Sequence, residues 1–234
     1  VLLGRFLELA IPTARPLDSL EFYRQLGLSV ASDTGADEST HVVVSDGRLS
    51  IALCDHRLRQ PTLVFVCRGF AARIEPLEQA GLVVDEVAIG EHRFNRLDAH
   101  LRHGPHLRLV EARTHSPVAE QPSALGWFNE ITVPASRMDV RSMESLGFVA
   151  LECEGLFGRG MALTSDSISL GLNAPGGLSS VWLHFECADL DGLRRALHGR
   201  GIEEDHSAAP ELDRHTHIVV QAPEGTMLVA RRGD

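Results

Sequence analysis

Phe6-Leu7-Glu8-Leu9-Ala10-Ile11-Pro12 returns later in the chain as Phe128-Asn129-Glu130-Ile131-Thr132-Val133-Pro134. The register then holds at a step of about 120 residues. Leu26-Gly27-Leu28 answers Leu146-Gly147-Phe148, and Leu49-Ser50-Ile51 answers Ile168-Ser169-Leu170. Phe65-Val66-Cys67 answers Phe185-Glu186-Cys187, and Gly81 answers Gly201. Two copies are too few for a solenoid, so the repeat predicts two homologous domains fused in one chain. We expect residues 1–115 and 126–234 to form them, with 116–125 as a linker marked by Pro and small polar residues. A ligand is then expected inside or between the copies.

The 234 residues suffice for two cores. A composition 44% hydrophobic and 23% charged reads as globular. A net charge of -10 argues against nucleic-acid or anionic-membrane partners, which need a basic footprint. No apolar run approaches the roughly 20 residues of a membrane span, and no signal-peptide pattern is read, so a cytoplasmic protein is expected. Cys54, Cys67, Cys153 and Cys187 lack CxxC spacing and read as buried reduced thiols. All 22 basic residues are Arg. Without Lys there is no Schiff-base chemistry and no P-loop lysine.

Within each copy the order strand, helix, strands occurs twice. Strands are expected at 5–12, 41–45, 49–54, 62–67, 96–101 and 106–112, with Asp46-Gly47 and Gly104-Pro105 as turns. Helices are expected from Pro16 to Gly27 and over 70–80. The second copy gives strands at 128–133, 160–164, 167–172, 181–187, 215–221 and 226–231. Its helices are read over 137–146, with Met138 and Met143 inward, and after Asp189, with Leu190, Leu193 and Leu197 inward.

That order, with Phe22-Tyr23 and Leu26-Gly27-Leu28 after the first strand and Pro223-Glu224-Gly225 before the last, resembles the vicinal oxygen chelate superfamily. Its members include glyoxalase I, fosfomycin- and bleomycin-resistance proteins and extradiol dioxygenases. The resemblance implies an α+β fold of tandem βαβββ units, four in two homologous domains, whose curved mixed sheets form cup-like cavities. It also implies metal ligands at the openings of two strands and in a last strand. The positions matching them here are Phe6, Thr62 and Arg108 in the first copy, and Phe128, Trp182 and Val229 in the second. Phe, Trp and Val offer no suitable lone pair and Arg does not deprotonate, so no metal site is expected. No cofactor is expected either, a divalent metal (Fe, Mn, Ni or Zn) being the alternative.

Side chains two apart on a strand share a face. Glu8 is therefore expected beside Phe6, Glu130 beside Phe128, His184 and Glu186 beside Trp182, and His106 beside Arg108. Glu8 and Glu130 are the candidate acid–base groups. Phe6, His106, Arg108, Phe128, Trp182, His184 and Glu186 are the candidate ligand-binding residues. Such a lining suits a planar or mixed apolar–polar organic molecule. Exchange of units between the copies would put Glu130 near His106 and Arg108; without exchange Glu8 meets them, and Glu130 meets Trp182 and His184. The competing readings are ion pairs with arginines for the two Glu, a hydrogen-bonded core site for His184, an ion pair for Arg108, and core packing for Trp127 and Trp182. The tract His100, His103, His106 and the pair His215, His217 lack a third ligand at recognisable spacing. His92, His115, His198 and His206 read as surface or loop residues.

The functional expectation is a protein of glyoxalase or bleomycin-resistance type that binds a small organic molecule without the usual metal, as a monomer or homodimer. The alternatives are a lyase, isomerase or dioxygenase using a displaced metal or a Glu acid–base, and an interaction module with a closed core.

Overall fold

The computed structural model describes residues 2–33, 41–54, 58–90, 95–102, 104–133, 140–155, 158–172 and 180–233. His92, His103 and Met138 lie outside them, as does the side chain of Cys153.

The first half runs β1 (Arg5–Pro12), α1 (Pro16–Gln25), β2 (Ser29–Asp33), β3 (His41–Ser45), β4 (Ser50–Cys54), then β5 (Thr62–Val66), a 3-10 turn (Phe70–Arg73), α2 (Ile74–Gln79), β6 (Leu82–Ala88), β7 (Arg96–Leu101) and β8 (His106–Val110). These are two βαβββ units. They join into one eight-stranded sheet of order β2-β3-β4-β1-β5-β8-β7-β6. Within it β1 pairs with β4, and β5 with β8, in parallel, while β1 and β5 meet antiparallel at the centre.

The second half repeats the plan with β9 (Trp127–Thr132), α3 (Val140–Ser145), β10 (Val149–Gly155), β11 (Gly158–Thr164), β12 (Ser169–Leu172), β13 (Trp182–Cys187), α4 (Leu190–Gly199), β14 (His217–Gln221) and β15 (Met227–Arg232). Its order is β10-β11-β12-β9-β13-β15-β14, with β9 and β13 antiparallel at the centre. Each sheet is thus built from units of its own half, which resolves the pairing left open by the sequence: no strand is exchanged. The repeat fails in the fourth unit. Where the first half has β6, the segment 203–216 forms no strand and crosses the helix-free face, packing Ala209 and Leu212 on Trp182, Val219, Met227 and Val229.

The expected strands all form. Three others, β2, β6 and β10, were not read from sequence. Each is an edge strand with large apolar side chains in solvent (Val30, Val83, Val149 and Leu151), so the alternation that marks a half-buried strand is scrambled. The helix expected over 137–146 is α3, with Met143 buried.

One continuous core joins the helix-bearing faces of both sheets. It includes Leu9, Tyr23, Phe65 and Phe70 from the first half with Phe128, Met143, Phe185 and Leu193 from the second. Polar ties cross the same boundary: Tyr23 and Ser19 on α1 donate to Glu224 in the turn before β15, and Phe6 N donates to Ser167 Oγ at 3.0 Å.

Both central strands carry the same irregularity. In β1 the register runs Phe6 opposite Phe65, then Glu8 opposite Val64, leaving Leu7 as an extra residue. In β9 it runs Phe128 opposite Phe185, then Glu130 opposite His184, leaving Asn129 extra. A β-bulge resets the alternation of faces. The expectation that Glu8 points with Phe6, and Glu130 with Phe128, is therefore overturned. Phe6 and Phe128 turn into the core, edge-on to Phe65 and Phe185 at 5.7 and 5.9 Å between ring centroids. Glu8 and Glu130 turn to the helix-free faces.

Each half enters its first strand through a glycine with positive φ, Gly4 (+83°) and Gly126 (+99°). A Cβ there would stand 2.0 Å from the carbonyl oxygen of Val66 and Glu186 respectively, so only Gly fits.

Candidate functional site

On the helix-free face of the first sheet, Leu7, Ala10, Val43, Ala52, Val64 and Val110 form an apolar floor. Glu8 lies on this floor, only 4% exposed. Its Oε1 is 3.9 Å from His41 Nε2 on β3, and its Oε2 is 3.4 Å from His115 Nε2 in the segment after β8. Neither Glu8 Oε2 nor His115 Nε2 has a hydrogen-bond partner among the described residues. The Nδ1 of His115 donates to the Ser116 carbonyl at 3.1 Å, which puts the proton on Nδ1 and leaves Nε2 with a lone pair when the ring is neutral.

Burial pushes the Glu8 carboxyl up to about 7, against the pull of the Arg108 charge. Burial also lowers both imidazoles; His41 is lowered further by His115 and Arg108. Cys54, the register partner of His41, has its thiol pushed up to about 12, first by burial and then by Glu8. A thiol so held is protonated and inert at neutral pH. Near pH 7 this site therefore holds neutral imidazoles and one carboxyl poised to gain or lose a proton, as a general acid or base requires.

The other candidates of the first half stand at the side of this cluster. Arg108 grips Asp98 with Nε (2.5 Å) and Nη2 (3.2 Å), so the ion-pair reading of Arg108 is the observed one. His106 stacks on His100 at 5.2 Å between centroids. Thr62 is buried and donates to the Gln60 carbonyl.

The second half is built differently on the same frame. His184 is buried and hydrogen-bonded to Thr132 Oγ1 at 2.8 Å, as the core reading has it. Burial drives it down to about 4, with Arg231 and His217 adding to the effect. Glu130, opposite His184, is raised by burial and lowered by Arg231 and by Thr132. It rests on Gly171, whose missing Cβ would stand 2.2 Å from Glu130 Oε1. Glu186 accepts from Arg231 at 2.8 Å and from Asn129 at 3.3 Å. Trp182 is core, under Ala209 and Leu212. Elsewhere in the second half a cleft of about 420 Å3 is lined by Arg194, Glu204, His206, Arg214 and His215. Arg194 is occupied there by Asp191, Glu204 and the His217 carbonyl.

Two histidines read as surface or loop residues lie in loops but are buried. His115 and His206 are 8% and 6% exposed. Polar neighbours in sequence conceal a side chain that the chain folds back under itself.

The residues at the positions implied for a metal do not fit one. Phe6 and Phe128 face the core, Arg108 is spent on Asp98, and Trp182 and Val229 lie in an apolar cluster. Among the described residues no three His, Cys, Asp or Glu are grouped to hold an ion. No helix among them is long and apolar enough to cross a membrane.

No protein-family model matches this chain, and no curated protein sequence matches it either. Solved structures do. The 2,3-dioxygenase LapB from Pseudomonas sp. KL28 is 15% identical with a TM-score of 0.64, covering 100% of this chain and 94% of its own. A catechol 2,3-dioxygenase is 17% identical with a TM-score of 0.59, covering 99% and 88%. Homoprotocatechuate 2,3-dioxygenase from Arthrobacter globiformis is 12% identical with a TM-score of 0.64, covering 99% and 80%. These are extradiol dioxygenases of the vicinal oxygen chelate superfamily. At such identities the likeness concerns architecture, and the two mixed sheets of eight and seven strands described above are the vicinal oxygen chelate fold.

Proposed function

We propose that this protein binds a small organic molecule on the helix-free face of its amino-terminal sheet, without the metal ligands usual in its fold, and that Glu8 makes the central polar contact. One observation carries the reading: a carboxyl oxygen lies buried on an apolar floor with no hydrogen-bond partner among the described residues. Buried polar groups are almost always paired, and the exceptions call for an explanation such as a ligand. The second sheet supports the assignment by contrast. There the equivalent face is covered by Ala209 and Leu212 of the same chain.

A thermal-shift screen of the wild type with small organic molecules tests this, since a ligand of the folded state raises its melting temperature. Hits should weaken in Glu8→Gln and persist in Glu130→Gln. Hits indifferent to Glu8 would sink the proposal.

A second reading is enzymatic. The similar structures are named as dioxygenases, one of them as ring-cleaving, and burial pushes the Glu8 carboxyl up to about 7, where a general acid or base works best. Turnover of a catechol, lost on Glu8→Gln, would favour it over binding alone.

A further inference from the structure

The helix-free faces of the two sheets are covered by their own chain in opposite ways. Over the second, the covering side chains are Ala209 and Leu212, matched in polarity to Trp182, Met227 and Val229 beneath. Over the first, Leu58 packs on the apolar floor, and the group set over Glu8 is the imidazole of His115, with a side chain 2% exposed. It is mismatched to what it covers. Its Nδ1 proton is committed to the Ser116 carbonyl, so its Nε2 turns a lone pair toward Glu8 Oε2 at 3.4 Å. Two acceptors then face each other whenever Glu8 is ionised, and neither has another partner among the described residues. A side chain selected only to fill this space would be apolar, as in the other half.

A free ring of the same size is not bound by that constraint. It has no tether to Ser116, so it can turn a ring N–H onto Glu8 Oε2 and supply the donor that the site lacks. The space is known to accept a five-membered planar ring, because it contains one. We propose that His115 is a displaceable internal occupant of the amino-terminal site, and that the ligand is a small planar nitrogen heterocycle of the azole class that takes its place against Glu8. This rests on the reading of that face as the binding site, and names its ligand class.

Binding then requires the segment after β8 to release its imidazole, and the wild type binds more weakly by the fraction of molecules in which it is released. The experiment is titration of the full chain with imidazole by calorimetry at about pH 8, where imidazole is mostly neutral. His115→Ala should bind it about ten-fold or more tighter than wild type, and the double variant His115→Ala with Glu8→Leu should lose that binding. Equal affinity in wild type and a folded His115→Ala would overturn the proposal, as would no binding by the latter. Should His115→Ala fail to fold, the wild type still decides. Saturating imidazole should speed tryptic cleavage after Arg113, because the segment after β8 is expelled, and an unchanged rate overturns the proposal. The two proposals can fail apart. A compound that needs Glu8 but leaves cleavage after Arg113 unchanged refutes displacement of His115 and spares the binding function. Imidazole taken up by His115→Ala, with no compound binding wild type, overturns both, since the internal imidazole is then never displaced.

Discussion

Tyr23 on α1 donates its hydroxyl to Glu224 Oε1 at 2.6 Å, joining the first half of the chain to the last turn of the second. Ser19, one helical turn earlier, donates to the other carboxylate oxygen at 2.7 Å. Both donors are buried, so the carboxylate is held by two charge-assisted bonds in the seam between the sheets. The Tyr23 hydroxyl is correspondingly held well above its usual range by burial and by Glu224. Tyr23→Phe should lower unfolding free energy by about 1–3 kcal/mol, because it leaves a charged acceptor short of a donor. Urea denaturation measures this. A loss within about 0.3 kcal/mol would show that the seam does not depend on the bond.

The repeat was legible because its signals are local: Leu-Gly-Leu after a helix, Asp46-Gly47 in a hairpin, Asp189 ahead of Leu190, Leu193 and Leu197. Asp189 indeed caps α4 by accepting from Gly192 N. What escaped is set by partners distant in sequence. Leu7 and Asn129 look like ordinary strand residues, and only pairing with β5 and β13 makes each one extra. That single unread residue per copy put Phe6 and Phe128 on the wrong face. His184 and Arg108 were each open between two roles, since nothing in Trp-Leu-His-Phe or His-Leu-Arg-Leu foretells Thr132 or Asp98 as partners.

Glu8 and His184 should bend the stability–pH curve in opposite directions. The Glu8 carboxyl is raised from 4.5 to about 7, so the folded state holds the proton more tightly. Its contribution is fully present below about 4.5 and lost as pH rises through about 7. His184 is lowered from 6.5 to about 4, so the folded state releases its proton more readily. Its contribution is present above about 6.5 and lost as pH falls through about 4. Each shift corresponds to about 3 kcal/mol at most. Between about pH 4.5 and 6.5 the two slopes oppose each other. Glu8→Gln removes one of them, so its stability should climb through this window more steeply than that of wild type. It should also exceed wild type at about pH 8. Parallel pH profiles of the two proteins would refute the burial argument for Glu8.

Leu212 covers Trp182 in the second half and is nearly buried. Leu212→Ala should cost about 2–5 kcal/mol, as core Leu truncations do. It should also shift tryptophan emission to the red, since Trp182 is 1% exposed at present while Trp127, the only other Trp, is already 39% exposed. Unshifted emission with intact stability would mean that segment 203–216 does not seal this face.

Gly126 offers a test of the shared frame itself. Its φ of +99° is one that other L-residues rarely adopt, and a Cβ would meet the Glu186 carbonyl oxygen at 2.0 Å. Gly4 repeats the relation against Val66. Alanine at either position must push β1 from β5, or β9 from β13, at the very pairing that carries the bulge and aims Glu8 or Glu130. The conformational strain alone costs about 1–3 kcal/mol, and the clash adds to it. Gly90→Ala is the control, since a Cβ there meets nothing within 4 Å and its φ is ordinary. We expect it to stay within about 0.5 kcal/mol of wild type. Gly4→Ala should in addition weaken any Glu8-dependent ligand, whereas Gly126→Ala, if folded, should leave that ligand's affinity unchanged. Equal loss of affinity in both would mean that the two sheets do not hold their faces independently.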